Sequence, residues 1–319
     1  MAWAACHGSS ASEAPANTNS KSTPALERAK PEPRVAPSGT PPEGARVVLL
    51  GTGTPVPDPE RMGPASAVLA GGRAYLVDAG PGIVRRAAAA EALGHHELAP
   101  EQLSHVFITH LHSDHTVGYA DLMLTPAVVG RRQPLQAFGP PGLTAMTRAL
   151  ERAYAVDASI RHAGKSPEQQ PGYRVVTREI EAGEVYTDAA VRVRAVKVPH
   201  GSVEHAYAYR FDAEGRSIVF SGDTAPSEAL VELCSGCDLL VHEVYCSQGV
   251  RTGPPSFREY HGSFHTSAQE LAALATRARP GLLLLSHLLF FGCDAETLLA
   301  EVKSGYAGEV VVGEDLGVY

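Results

Sequence analysis

The sequence predicts an α/β domain in which two β-sheets face each other with helices on the outside, an αββα sandwich of four layers. Three observations predict it. Short apolar strands are followed by helices twice over, in two successive halves of the chain. The strands end in Gly- and polar-rich turns. Nothing from Arg46 onward reads as a linker, and no sequence repeat of fixed period appears, so residues 45–319 form one domain.

The elements follow in order. Val47-Val48-Leu49-Leu50 is a short buried strand, ended by Gly51-Thr52-Gly53-Thr54-Pro55. Ala65–Leu69 and Ala74–Val77 are strands around a Gly71-Gly72 turn. A helix runs from Ile83 to Leu93, a strand from His105 to Ile108, and a helix from Val117 to Val128. Leu135–Phe138 is a strand and Leu143–Tyr154 a helix, followed by a polar, irregular stretch from 155 to 172. Strands are expected near 173–180, 191–198, 206–211 and 217–220, and a helix near 226–233. Then come the strand Leu239–Val241, a Gly/Pro/aromatic loop over 247–264, a helix from Ser267 and a strand at Leu282–Leu285. A helix from Ala295 and two short strands close the chain.

Residues 1 to about 44 have a different texture, rich in Ala, Ser, Pro and Gly. They lack the apolar content to order themselves and read as a disordered leader. Trp3-Ala4-Ala5-Cys6 before a Ser-rich tract looks like a bacterial lipoprotein cleavage site without the apolar half of a signal peptide. If the true start lies upstream, Cys6 is a lipid-anchor site and the protein periplasmic or tethered; otherwise the chain reads as cytoplasmic.

The net charge of -8 does not suggest a nucleic-acid binder, and no apolar run reaches transmembrane length. Of five cysteines, Cys234 and Cys237 form a lone C-x-x-C without a second pair, which argues against a structural zinc site. They read as small apolar packing residues, with a disulfide or redox pair as the alternative.

The chemistry gathers in Thr109-His110-Leu111-His112-Ser113-Asp114-His115. A strand end projects His110 and His112 to one side, because side chains alternate with period two. The chain then turns, and Asp114 and His115 face a neighbouring position. One loop therefore offers two ligands to each of two metals, and imidazole with carboxylate suits zinc, or less exclusively manganese or iron. Three later strand ends add partners: Val198-Pro199-His200 for the first metal, Ser221-Gly222-Asp223-Thr224 as a bridge, and Leu284-Leu285-Ser286-His287 for the second.

With these residues in view, the chain from about Arg46 to Tyr319 resembles the metallo-β-lactamase superfamily. Gly51-Thr52-Gly53-Thr54, Ser221–Thr224, Val241-His242-Glu243 and His265-Thr266-Ser267 are similar to the branch that contains ribonuclease Z. Arg61-Met62-Gly63-Pro64-Ala65, Val77-Asp78-Ala79-Gly80-Pro81-Gly82 and His110 through Gly118 with Tyr119 resemble the arylsulfatase-like group of that branch more closely. The resemblance implies His110, His112 and His200 on one metal, Asp114, His115 and His287 on the other, and Asp223 between them. It implies that Asp114 also orients the attacking water, and that Glu243 and His265 supply the leaving-group proton. His261 is a rival to His265, and His242 reads as a plain strand residue.

The substrate expected from this resemblance is a small-molecule ester, an aryl sulfate or phosphate, with ribonuclease Z-like phosphodiester hydrolysis as the runner-up. Three departures count against tRNA. Residues 155 to 180 are short of a long basic Gly-rich arm; Val77–Gly82 replaces an acidic Gly-rich loop; and Leu288-Leu289-Phe290-Phe291 stands where an Arg-bearing stretch is usual. Those two Phe are either core or the lining of a pocket for an aromatic leaving group. A lactonase or β-lactamase, and a metal-binding protein without catalysis, are further readings. Relatives in this branch often dimerise, and a homodimer is an open expectation.

Overall fold

The computed structural model describes residues 44–163 and 170–319. The expected leader up to Glu43, Cys6 included, lies outside the described residues.

Six strands form the first sheet in chain order: β1 (Arg46–Gly51), β2 (Ala65–Ala70), β3 (Arg73–Val77), β4 (His105–Phe107), β5 (Leu135–Gly139) and β6 (Val175–Glu179). β1 to β3 are antiparallel, and β3 to β6 run parallel. The second sheet holds β7 (Gly183–Thr187), β8 (Val191–Lys197), β9 (Tyr207–Ala213), β10 (Arg216–Phe220), β11 (Leu239–Tyr245), β12 (Leu282–Leu289) and β13 (Val310–Val312), in the order β13-β12-β11-β10-β9-β8-β7. β7 to β10 are antiparallel and β10 to β13 parallel. Parallel strands need crossover helices, so each sheet acquires a helical layer on its outer face.

Strand periodicity assigns the layers. Val47 and Leu49 of β1 point between the sheets, where they join Tyr75, Phe107, Phe138, Tyr209, Phe211, Phe220 and Val241. Phe107 stacks on Phe138 and stands edge-on to Phe211 across the gap. Val48 and Leu50 point the other way, into a core under α1 (Ile83–Ala92), α3 (Tyr119–Val129) and α4 (Leu143–Ala153). The outer face of the second sheet packs on α6 (Glu228–Cys234), α9 (Ala268–Ala278) and α10 (Ala295–Lys303). Ser267 caps α9 in a capping box with Glu270. The four expected layers are all present.

Five details differ from the sequence reading. The helix expected over Val117–Val128 is α3, which begins at Tyr119, and a separate single turn, α2 (Ser113–Thr116), precedes it. The stretch expected to be irregular after Tyr154 begins with helix α5, Ala155–Ala163, and its residues 164–169 lie outside the described residues. The loop expected over 247–264 is two helices, α7 (Ser247–Arg251) and α8 (Pro255–Phe264). Between β6 and β8 lies the unexpected strand β7. At the C-terminus only β13 is a strand; the last residues bond along β1, through Val47 and Tyr319.

The cysteines also pair. Cys234 and Cys237 form a disulfide, so the alternative reading holds over simple packing, although both are fully buried as well. A second disulfide, Cys246–Cys293, was not expected.

Among the described residues no helix is long and apolar enough to cross a membrane.

Candidate metal centre

The first sheet contributes the His-rich loop. After β4, the carboxylate of Asp78 holds the backbone N–H of Thr109 at 2.8 Å and accepts from the Thr109 hydroxyl. His110 is then fully buried. His112 precedes α2 in extended conformation, and the one turn of α2 carries Asp114 and His115 inward. Gly118 can pack on the Asp78–Gly82 loop only because it lacks a side chain: a Cβ there would lie 2.2 Å from the Gly80 carbonyl oxygen.

The second sheet supplies the rest from strand ends. His200 follows β8, Asp223 follows β10 and Glu243 lies in β11. His287 lies within β12, two residues before its end, and not just beyond it. Ser286 pairs with Glu243 and Leu288 with Val244, so His287 is the extra residue of a β-bulge, with φ +46°. Bulges re-aim side chains in this way.

These residues converge from both sheets. His110, His112, His200 and Asp223 place one ligand-type atom each within 4.8 Å of one another, and Asp114, His115 and His287 do the same. Asp223 lies between the groups. Its Oδ2 is 3.9 Å from Nε2 of both His110 and His200 and 3.4 Å from Nε2 of His287; its Oδ1 is 3.3 Å from Nε2 of His115. His287 Nε2 also stands 3.2 Å from Asp114 Oδ2. All seven expected ligands are therefore brought together.

The donor set fits cations. His110 Nε2, His115 Nε2 and Asp223 Oδ1 are buried without a hydrogen-bond partner, which is costly unless an ion satisfies them. Burial holds His110 well below the usual imidazole range and pulls His200 down to about 4, leaving lone pairs free. Burial would raise Asp223, but His287 and His115 hold its carboxyl well below its ordinary value. The outward nitrogens are anchored: His115 Nδ1 lies 2.8 Å from Asp78 Oδ2, His200 Nδ1 donates to the Phe264 carbonyl at 2.7 Å, and Thr109 Oγ1 is 3.0 Å from His110 Nδ1. Such outer partners fix the tautomer that leaves Nε2 facing inward. The His/Asp clusters are consistent with a dinuclear site.

His265 stands beside the centre, at the end of α8. Its Nδ1 is 3.3 Å from Glu243 Oε1 and 4.0 Å from Asp223 Oδ2. Glu243 is itself fixed by the N–H groups of Thr224 and Thr266. Burial would lower His265, yet the Glu243 carboxylate overrides it and drives the imidazole up to about 9. His261 is farther out, between Phe257 and Phe291. His242 is fully buried, and its Nδ1 donates to a backbone carbonyl, as a plain strand residue would. The two Phe after β12 divide: Phe290 lies under the Arg61 guanidinium, and Phe291 packs on Tyr245, Phe257 and His261.

Asp78 is the positioning residue that sequence reasoning missed. Its signal was present in Val77-Asp78-Ala79-Gly80-Pro81-Gly82, a segment read only for its likeness to one group.

Residues 73–288 match a family model described as the beta-lactamase superfamily domain. The chain is 34% identical over 275 residues to a ribonuclease Z of Mycobacterium bovis (strain BCG / Pasteur 1173P2), which covers 85% of this chain and 96% of that protein. It is 36% identical, at the same coverage, to a ribonuclease Z of Mycobacterium avium. Among solved structures, the metallo-beta-lactamase fold protein YhfI from Bacillus subtilis aligns with a TM-score of 0.67 at 18% identity, over 87% of this chain and 99% of that one. The short form of human tRNase Z aligns with a TM-score of 0.63 at 22% identity, over 86% and 98%.

Proposed function

From the premise that the chain belongs to the metallo-β-lactamase superfamily and has its fold, we propose that it is a zinc-dependent phosphodiesterase of the ribonuclease Z kind. The observation that carries this reading is the pair of His/Asp groups with Asp223 between them, and the Glu243–His265 pair beside them. The names of the relatives move phosphodiesters ahead of the aryl sulfates that the sequence placed first.

His110, His112 and His200 would hold one ion, Asp114, His115 and His287 the other, and Asp223 both. Bound there, two ions supply a water acidified toward neutrality and stabilise negative charge on the ester oxygens. Asp114 reaches that region and can accept a hydrogen bond from the attacking water, turning its lone pair toward phosphorus. His265 directs Nδ1 at Glu243, which leaves Nε2 to hand a proton to the departing oxygen. Cations held at those ligands would oppose the pull of Glu243 on His265 and so favour release of its proton. Glu243 keeps the imidazole in one tautomer.

A second reading, small aryl phosphate or sulfate esters, is favoured by one observation: α5 and the strand β6 follow α4 closely, with no long basic arm in the sequence between them. Zinc-loaded protein assayed side by side on a pre-tRNA, a bis-aryl phosphodiester, an aryl sulfate and a lactone decides. Chelator-sensitive cleavage of the diester, with the sulfate and lactone slower by roughly tenfold or more, is the expected result. A sulfate hydrolysed faster than any diester overturns it. Cleavage of the pre-tRNA places the natural substrate among RNAs.

A further inference from the structure

The α7–α8 segment, residues 247 to 264, forms a cap beside the metal centre. It leaves β11 at Tyr245 and returns beside it, where Tyr245 bonds Thr266. No residue of α8 is buried. The apolar cluster beneath the cap is small: Tyr245, Val250 and Leu289, with Phe257 and Phe291 partly covered. So little buried apolar surface gives the cap weak local stability by itself.

Other contacts compensate: the end of α8 is held where the Ser263 carbonyl accepts from Gly201 N–H and the Phe264 carbonyl from His200, and the contacts of the rest converge on Phe291. Cys246, immediately before the cap, is disulfide-bonded to Cys293, just beyond β12. Glu301 of α10 accepts from the N–H groups of Ser247 and Gln248 at the start of α7. Gly249 lies so close to Phe291 that a Cβ would sit 2.4 Å from its carbonyl oxygen. Phe291, with φ +48°, then presses its ring on Phe257 and His261. The His261 ring lies parallel to that of His265 at 5.9 Å. A chain of contacts therefore runs from the disulfide through Phe291 and His261 to His265. The disulfide joins the ends of the two strands that carry Glu243 and His287.

We propose that the Cys246–Cys293 disulfide is a redox-sensitive latch that holds the α7–α8 cap, and with it His265, in its working position at the metal centre. A dithiol opens the latch. Its thiolate attacks the half-buried Cys293 sulfur, the S–S bond breaks, and Cys246 departs as a thiolate that takes a proton. The second thiol of the reductant displaces Cys293, which is also protonated, and the reductant leaves as a disulfide. Two electrons pass to the protein. The cap loosens while the strands that carry the other ligands keep their pairing. Cys234–Cys237, with both sulfurs in fully buried residues, stays closed and is an internal control. The latch is a positioning device, and its effect on turnover rests on the reading of His265 as proton donor.

The test compares full-length zinc-loaded protein as purified, after a dithiol, and as the Cys246→Ser/Cys293→Ser double variant. Free thiols are counted by mass spectrometry, bound zinc by elemental analysis, cap exposure by amide hydrogen exchange, and turnover on two methyl phosphodiesters with a nitrophenolate or a phenolate leaving group. Opening the latch is expected to speed exchange in 247–261 and to leave zinc unchanged, because the last turn of α8 keeps its own bonds to His200 and Gly201. It should slow the phenolate ester by roughly ten- to a hundredfold, as a displaced catalytic group does, and the nitrophenolate ester much less. The Cys234→Ser/Cys237→Ser variant shows no such split. Unchanged exchange in the cap, or Cys246 and Cys293 found as thiols before reduction, overturns the latch. Equal slowing of both esters with loss of zinc also overturns it, since the bond then supports the centre itself. If the unreduced protein cleaves no diester, the proposed function fails, and hydrogen exchange still decides the latch.

Discussion

The floor of the metal centre and the cap beside it are built from the same chain by opposite means. On the floor, His110, His200 and Asp223 are buried just beyond strands and His115 on the single turn of α2, and Asp78 and Thr109 hold the outward atoms of His115 and His110. In the cap, no residue of α8 is fully buried, a disulfide and a glutamate tie down its start, and the Phe264 carbonyl at its end reaches His200 on the floor. Binding a cation needs donors set in advance, which the paired strands of two sheets provide. Admitting an ester and releasing its alcohol needs a wall that can give, and such walls come from the less stable parts of a fold. On the proposed function, metal retention falls to the floor and leaving-group chemistry to the cap.

The largest expected effect is on the floor. Asp223→Ala removes the one side chain that lies between both groups. Elemental analysis should show a fall from two ions to one or none, and turnover should drop by roughly 10³ or more on every substrate. Retention of both ions would break the comparison, because Asp223 would then not hold the centre together. Next comes the edge of the cap. His265→Ala should keep both ions and slow basic leaving groups by roughly 10²–10⁴, nitrophenolates far less. The structure makes the contrary outcome concrete: His265, His287 and Asp223 also lie close enough to share an ion. If His265→Ala loses metal, His265 belongs to the floor.

The floor was far more legible in the sequence than the cap, and for physical reasons. His110 to His115 is a local pattern after an apolar strand, and His200, Asp223 and His287 each come shortly after an apolar run in the sequence, so the apolar runs pointed to all of them. The bulge that turns His287 inward was not readable, because it depends on the register between β11 and β12. The role of Asp78 was hidden likewise: its partner His115 is 37 residues away. The cap escaped because the inward face of α8, Phe257, His261 and Phe264, is only half-buried and short, while Pro254-Pro255 and Gly262 suggest a loop. The Cys246–Cys293 pairing spans 47 residues, and connectivity does not follow from spacing.

Asp78→Asn tests the support beneath the floor at a smaller scale. The carboxylate accepts from Thr109 and faces His115 Nδ1, so the amide weakens both without emptying the site. Zinc affinity measured by competition with a chromophoric chelator should fall by roughly 10–100-fold, and turnover at saturating zinc should change little. An unchanged affinity would move Asp78 out of the metal's support.

The smallest expected effect separates the two regions most directly, because it asks how each responds to one added methyl group. Gly222 on the floor has φ +59°, and a Cβ there would meet the Tyr207 carbonyl oxygen at 2.9 Å and Thr109 Cβ at 3.0 Å. Both neighbours sit at the edge of paired strands, and Tyr207 N also bonds the Thr109 carbonyl, so neither can retreat alone. Gly222→Ala combines backbone strain with overpacking and should cost roughly 1–3 kcal/mol of stability, with weaker zinc binding. Gly249 in the cap faces a closer clash, 2.4 Å to the Phe291 carbonyl oxygen. By distance alone Gly249→Ala should be the worse substitution. Gly249 lies in a helix, where alanine gains roughly 1 kcal/mol over glycine, but the clash is with the backbone and Cβ of Phe291, two residues before the disulfide-bonded Cys293. Gly249→Ala should therefore cost roughly 1–3 kcal/mol in thermal unfolding as well, yet keep its zinc and slow only substrates with basic leaving groups by a few-fold. Loss of zinc from Gly249→Ala, or equal slowing of all substrates, would show that the cap does not stand apart from the floor, and the division of labour between them would fail.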